Sequence, residues 1–234
     1  MQRRWHYFAI MKALESTISL LERTVLKRGR VLAVRTWEPD NFVEVDLHLP
    51  GTGMSDWQEA QHIKCRVGTL LFRDYTLAGW DGDTRTGTLY IDTGHEGPGA
   101  RWARTLAPGD TLHYTGAEST GRPPEALSRL VCLGDETSVG HVLALHQLLP
   151  RSSSMTGAIL FDEPAYRKCF RDFLRLPLEP LTRAEALLEW VSGAPLEDDF
   201  FHLTGNHRLV QHLRRILRGK GVSRDRIRVQ GFWS

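Results

Sequence analysis

What this sequence has little of narrows it quickly. It holds 3 cysteines in 234 residues, Cys65, Cys132 and Cys169, far apart and with no CxxC pair. An odd, scattered set of thiols builds neither a disulfide framework nor a zinc site, and it suits a reducing compartment. No stretch approaches the roughly 18 consecutive apolar residues of a membrane span. The N-terminal segment QRRWHYFAIMKALESTISLL is interrupted by Lys12 and Glu15, and no small-residue cleavage site follows it. It reads as an amphipathic helix within residues 1–27 rather than a signal peptide, and the protein as cytoplasmic. Charge of one sign is lacking, at +2 net. No RNP-like aromatic pair or helix-turn-helix pattern points to nucleic acid. There is no GxGxxG fingerprint, no internal repeat, no low-complexity segment, and no catalytic triad or carboxylate pair.

What is present is a chain 41% hydrophobic and 25% charged, long enough to bury a substantial core without cross-links. It has two rhythms. From Gly29 to about Gly116, the segments GRVLAVRTW, FVEVDLHLP, HIKCRVGTLLFRDYTLAGWD, TGTLYIDTG and TLHYTGA alternate apolar and polar residues between turn signals, which predicts an antiparallel barrel or sandwich. After STGRPP the period changes. SRLVCLG, TGAILFD, DFFHLTG and RIRVQGFWS read as strands, alternating with helices over TSVGHVLALHQLLP, RAEALLEWV and NHRLVQHLRRILRGK. That alternation predicts a parallel sheet with crossover helices. The boundary falls near Gly121, giving domains at 28–120 and 121–234.

Four short stretches carry chemistry. In FRDYT, Arg73 and Tyr75 share one face of a strand. A guanidinium can hold a phosphate by two parallel bonds, a tyrosine ring can face a planar heterocycle, and the Thr76 hydroxyl can bond a ring nitrogen; a plain cross-strand surface pair is the rival reading. In GHEGPGARWARTL, glycines 94, 97 and 99 precede a short helix whose amides suit an anion; an ordinary loop-to-helix connection with Pro98 in its first turn is the rival. In LGDETSVGHVLAL a strand ends at Gly134 and a helix follows, with Thr137 or Ser138 as N-cap; this is where open α/β sheets place nucleotides. Capping by Asp135 or Thr137 competes with that use. Between Arg208 and Arg228 there are 8 basic residues and one acid, Asp225, read as a solvated helix face, a docking site for an anionic ligand or redox partner, or, least of all, a nucleic-acid patch.

Taken in order, RDYT (Arg73–Thr76), GHEGPGARWA (Gly94–Ala103), APGD (Ala107–Asp110), LGDETS (Leu133–Ser138), LTGNHRLVQHLRR (Leu203–Arg215) and GFW (Gly231–Trp233) resemble the siderophore-interacting protein family, the ferric-siderophore reductase branch of the ferredoxin–NADP reductase superfamily. The resemblance covers about residues 29–233. It implies an N-terminal Greek-key β-barrel that binds FAD and a C-terminal α/β domain that binds NADH or NADPH. By this similarity Arg73 holds the FAD diphosphate, and Tyr75 and Thr76 act at the flavin, Thr76 near the N5 atom that takes hydride. Leu77, Asp92, Thr93 and Gly94 belong by the same similarity to the cofactor-binding set. Gly97, Pro98, Gly99, Ala100, Arg101 and Trp102 supply amides and charge for the diphosphate. Gly134, Asp135, Glu136, Thr137 and Ser138 line the nicotinamide nucleotide, and Phe232 or Trp233 lies by the flavin. Arg208, Arg214 and Arg215 would receive the substrate.

The implied reaction passes electrons from NAD(P)H through the flavin to a ferric siderophore or other ferric chelate, in a monomer with no resident metal. A different acceptor, a ferredoxin donor, or flavin and nucleotide binding without turnover are the alternatives. Asp162 could take a ribose 2′-OH and favour NADH, whereas Arg167 and Lys168 could take a 2′-phosphate. The chain departs from the family pattern at Ala78, Thr93 and Asn206, where an arginine, a histidine and an acidic residue are common.

Overall fold

The computed structural model describes residues 26–38, 42–54, 56–121, 128–193 and 199–233. The amphipathic helix expected within residues 1–27 lies outside the described residues, except that Lys27 already opens the first strand.

The period-2 half folds as expected. Strands β1 (Lys27–Thr36), β2 (Phe42–His48), β3 (Ala60–Gly68), β4 (Leu71–Thr76), β5 (Gly79–Asp81), β6 (Thr86–Asp92), β7 (Thr111–Tyr114) and β8 (Glu118–Gly121) form one antiparallel sheet. Their order is β4–β3–β7–β1–β2–β6–β5, with β8 beside β3. Alternation sets the faces: in β2, Val43, Val45 and Leu47 are buried while Glu44 and Asp46 are half-buried. The two end strands, β4 and β5, are consecutive in the chain. Between them the Leu77 amide donates to the Gln61 carbonyl at 2.8 Å and the Ala78 amide to the Thr88 carbonyl at 2.8 Å. The linker is thus bonded to β3 on one side and β6 on the other, and the sheet rolls shut with no free edge there. Val31, Val45, Leu47, Ile63, Cys65, Leu77, Leu89 and Tyr114 fill the interior. A short helix, α1 (Pro98–Arg104), follows β6.

One expectation needs correction. HIKCRVGTLLFRDYTLAGWD is not one strand but three, because the chain reverses after Gly68, where Leu70 takes a left-handed φ of 55°. The alternation continues across this tight hairpin, so hydrophobic pattern alone does not reveal it. Arg73 then pairs with Cys65 and Tyr75 with Ile63.

The second half is a five-stranded parallel sheet of β9 (Arg129–Asp135), β10 (Ser154–Leu160), β11 (Glu179–Leu181), β12 (Asp199–Asn206) and β13 (Ile227–Trp233). Its strands read as continuous apolar runs because helices cover both faces: α2 (Val139–Leu148), α3 (Tyr166–Cys169) running into a π turn at Phe170–Leu174, α4 (Ala184–Gly193) and α5 (His207–Gly219). The order is β11–β10–β9–β12–β13. The chain therefore leaves β9 to one side and later returns to its other side, which opens a crevice at the C-terminal ends of β9 and β12.

The halves are packed through an aromatic seam. Trp37 and Phe42 of the barrel lie 4.7 Å apart, and both meet Tyr166 of α3, at 6.1 and 5.8 Å. Phe42 is fully buried, worth about 2 kcal/mol in water-to-interior transfer. The Gln147 amide of α2 donates to the Ala78 carbonyl at 2.6 Å. No helix among the described residues is long and apolar enough to cross a membrane.

Candidate functional site

A cleft of about 970 Å³ separates the barrel from the C-terminal ends of the parallel strands. Strand β4 contributes Arg73, Tyr75 and Thr76. The β6–α1 connection brings Asp92, Gly94, Gly97, Pro98, Gly99 and Ala100, the β9–α2 turn Glu136 and Thr137, and β13 Phe232 and Trp233. Residues far apart in the sequence thus converge on one crevice.

Backbone approach explains the glycines. A Cβ on Gly99 would lie 2.5 Å from the Tyr75 hydroxyl and 3.3 Å from the Arg73 stem, and one on Gly97 would lie 2.5 Å from the His95 ring. Helix α1 can therefore start against β4 only without a side chain at Gly99, while Gly97 leaves room for the His95 ring in the preceding loop. No side chain caps that start and no acid stands in its first turn. Tyr75 stacks on Trp102 at 5.7 Å with 25° between the rings, and burial pushes its phenol above the usual range. Arg73 remains exposed, its guanidinium donating to the Phe72 carbonyl at 2.7 Å.

Other expected residues support the wall without lining the cleft. Leu77 is fully buried in the barrel interior, and Thr93 is buried with its carbonyl accepting from Arg104 at 2.8 Å. Arg101 donates to the Glu96 carbonyl on the outer side. Trp102 backs Tyr75. Arg208 and Arg215 are exposed and Arg214 half-buried on α5, outside the cleft.

At the β9 turn the rival reading of Asp135 holds. Neither Thr137 nor Ser138 caps the turn through its side chain; Asp135 does, accepting from the Thr137 amide at 3.1 Å and from the Asn206 amide at 2.6 Å, as well as from the Thr137 hydroxyl. It caps the 3-10 turn Glu136–Ser138 and ties the end of β9 to the end of β12, while burial raises its carboxyl above the usual range. Gly205, at φ 112°, leaves room for that carboxylate, which a Cβ would approach to 2.5 Å. Asn206 caps α5 by accepting from the Arg208 and Leu209 amides at 2.9 and 3.1 Å. Gly134 and Ser138 are buried beneath the turn.

Glu136 behaves differently. It is 8% exposed, and its Oε2 has no hydrogen-bond partner. Burial, then the neighbouring charges of Asp135, Asp162 and Asp92, push its carboxyl up to about 8. Asp92 is also raised, first by burial. One side of the cleft therefore presents carboxyls that keep their protons more readily than usual.

Sequence reasoning missed a histidine pair. His141 of α2 lines the cleft, its Nδ1 is 3.3 Å from the Thr76 hydroxyl, and its Nε2 is 3.0 Å from Nε2 of His202 on β12. The Phe232 ring stands edge-on to His141 at 5.8 Å. The available signal was a polar residue inside two runs, GHVLAL and FFHLTG, that otherwise read as buried. His62, Asp162, Glu163 and Tyr166 complete the wall.

Two family models match the chain in succession: the siderophore-interacting FAD-binding domain over residues 13–120 and the siderophore-interacting protein over residues 127–234. Among solved structures, a siderophore utilization protein from T. fusca is 23% identical with a TM-score of 0.73, covering 89% of this chain and 92% of its own. The siderophore-interacting protein SipS from Aeromonas hydrophila is 19% identical with a TM-score of 0.73, covering 89% and 91%. The ferredoxin reductase in carbazole 1,9a-dioxygenase is 19% identical with a TM-score of 0.72, covering 88% and 69%. No curated protein matches the chain. With the closed barrel before the parallel sheet and both family models in register with those halves, the chain belongs to the siderophore-interacting protein family.

Proposed function

We propose that this protein is a cytoplasmic, monomeric FAD-dependent oxidoreductase that takes electrons from NADH or NADPH and passes them to a ferric siderophore or another ferric chelate, releasing iron as Fe(II). The observation that carries this reading is the side-chain-free approach of Gly99, at the start of α1, to Arg73 and Tyr75, where a single Cβ would meet the tyrosine hydroxyl. It fits a ligand with a planar ring and a diphosphate tail. FAD, when bound, supplies the hydride and electron chemistry; the protein binds, orients and shields it. Arg73 is free to turn toward the diphosphate, joined by the amides at the start of α1. Tyr75, held flat by Trp102, backs the ring, and Thr76 offers its hydroxyl to a ring nitrogen. Phe232 and Trp233 line the same cleft, where they would shield the ring from water. Glu136 and Thr137 face the nucleotide, with Asp162 beside them for a ribose hydroxyl. Ferric iron is the substrate's cargo, and reduction weakens its hold on hard oxygen ligands.

The visible spectrum tests this directly. Purified protein should be yellow and should bleach anaerobically with NADH or NADPH; a colourless protein that cannot be reconstituted with FAD overturns the proposal. Arg73→Ala should lower FAD affinity about tenfold, the scale of one charge-assisted hydrogen bond, measured by flavin fluorescence titration. A second reading follows from Arg208, Arg214 and Arg215 standing on an exposed helix outside the cleft. Such a face suits an acidic protein donor, such as a ferredoxin, better than a small chelate held inside. Yellow protein that neither pyridine nucleotide bleaches but reduced ferredoxin does would establish that reading.

A further inference from the structure

The Thr76–His141–His202 chain has a property that neither its family nor its cleft position assigns. Both imidazoles are almost completely buried, at 1% and 3% exposure. Burial, the first cause, pushes His141 down to about 3 and His202 well below the usual histidine value. The charged or titratable neighbours that act on the pair are His62 on β3 and Arg228 on β13, and both disfavour a further positive charge. Each ring therefore carries one proton, and two neutral rings joined Nε2 to Nε2 share one hydrogen between those nitrogens.

Only two arrangements satisfy that geometry. In the first, His202 donates through Nε2–H to His141, whose proton sits on Nδ1 and is donated to the Thr76 oxygen. The threonine hydrogen then points into the cleft. In the second, His141 carries its proton on Nε2 and donates to His202, whose own proton then sits on its Nδ1, so His141 Nδ1 is bare and takes the threonine hydrogen. The threonine oxygen then faces the cleft as an acceptor. The proton count is the same in both; the arrangements are tautomers, and no charge is created.

We propose that this buried pair is a tautomer switch that lets Thr76 act as a hydrogen-bond donor toward one redox state of the bound cofactor and as an acceptor toward the other. The inference rests on the proposed flavin reading. A flavin ring nitrogen accepts a hydrogen bond when oxidised and carries a hydrogen when reduced, and an ordinary threonine would have to find a new partner for its proton at each turnover. His141 and His202 are positioning residues here, acting through Thr76.

Histidine 15N and 13C NMR on labelled full-length protein reads the tautomers directly. With oxidised FAD bound, His141 should show the Nδ1–H form and His202 the Nε2–H form; after dithionite reduction, His141 should show Nε2–H. The same His141 tautomer in both states overturns the switch while leaving the flavin reading intact. Failure of FAD to bind overturns both. His202→Leu adds a second readout. It leaves His141 Nε2 buried without a partner, and a bare lone pair is tolerated there better than an orphaned N–H. His141 should then be locked in its Nδ1–H form, and the affinity for reduced FAD relative to oxidised FAD should fall about tenfold, the scale of one hydrogen bond. An unchanged ratio in a folded variant counts against the switch.

Discussion

At Gly99 a missing side chain decides whether α1 can touch β4. An added methyl would meet the Tyr75 hydroxyl at 2.5 Å, so Gly99→Ala should destabilise the protein by about 1–3 kcal/mol through overpacking and weaken FAD binding. Combining it with Tyr75→Phe removes the atom in the way, and the double variant should recover part of the melting temperature lost by the single one. Full additivity of the two substitutions in thermal melts would sink this account. Glycine spacing and the Arg-x-Tyr-Thr run singled out Gly99, Arg73 and Tyr75 in the sequence, each beside a plain structural rival, and the fold brings them to one wall. His141 and His202 were not singled out, since a histidine in an apolar run gives no sign of the partner it will meet across 61 residues.

Among the elements, β9 and β12 are joined at both ends by side chains. Asp135 ties their C-terminal ends at the cleft, and at the opposite ends Arg129 grips Asp199 through two bonds of 2.6 and 2.7 Å. Asp199 is 2% exposed while the Arg129 side chain is 38% exposed. Removing the arginine strands a buried carboxylate, though solvent reaches the site and softens the loss. Arg129→Ala should cost on the order of 2 kcal/mol, seen as a lower denaturant midpoint. FAD affinity should be unchanged, because the pair lies at the far end of the sheet from the cleft. Element type was readable here from period: alternating for the barrel, continuous for the parallel strands. The reversal at Leu70 and the short β8 and β11 were not, as tight turns and brief edge pairings leave little pattern.

For the whole molecule, two sets of buried groups give stability opposite slopes with pH. The native value of Glu136 is raised from 4.5 to about 8, so the folded state keeps a proton that the unfolded chain gives up in that interval. Its contribution is full below 4.5 and is lost as the pH rises through 8. His141 is lowered from 6.5 to about 3; its contribution is full above 6.5 and falls away toward 3. Melting temperature should therefore rise from about pH 3 to 4.5, stay nearly level to about 6.5 where the two slopes oppose, and decline toward 8. Glu136→Gln should flatten the alkaline decline, and His141→Phe should soften the acid one. Melts of the three proteins at pH 5, 6.5 and 8.5 settle the matter; parallel curves would mean that these groups do not titrate with folding.

Ala78 is hydrogen-bonded in both directions. Its amide closes the barrel on β6, its carbonyl receives Gln147 from α2, and two residues before it stands Thr76 at the cleft wall. One residue thus holds the barrel closed and holds the other half of the protein against it. Opening that seam would unzip the cylinder, release the nucleotide half and dissolve the ligand wall in a single event. Slow amide-deuterium exchange should accordingly be shared by Leu77, Ala78 and the strands on either side, and filling the cleft should slow all of them by the same factor.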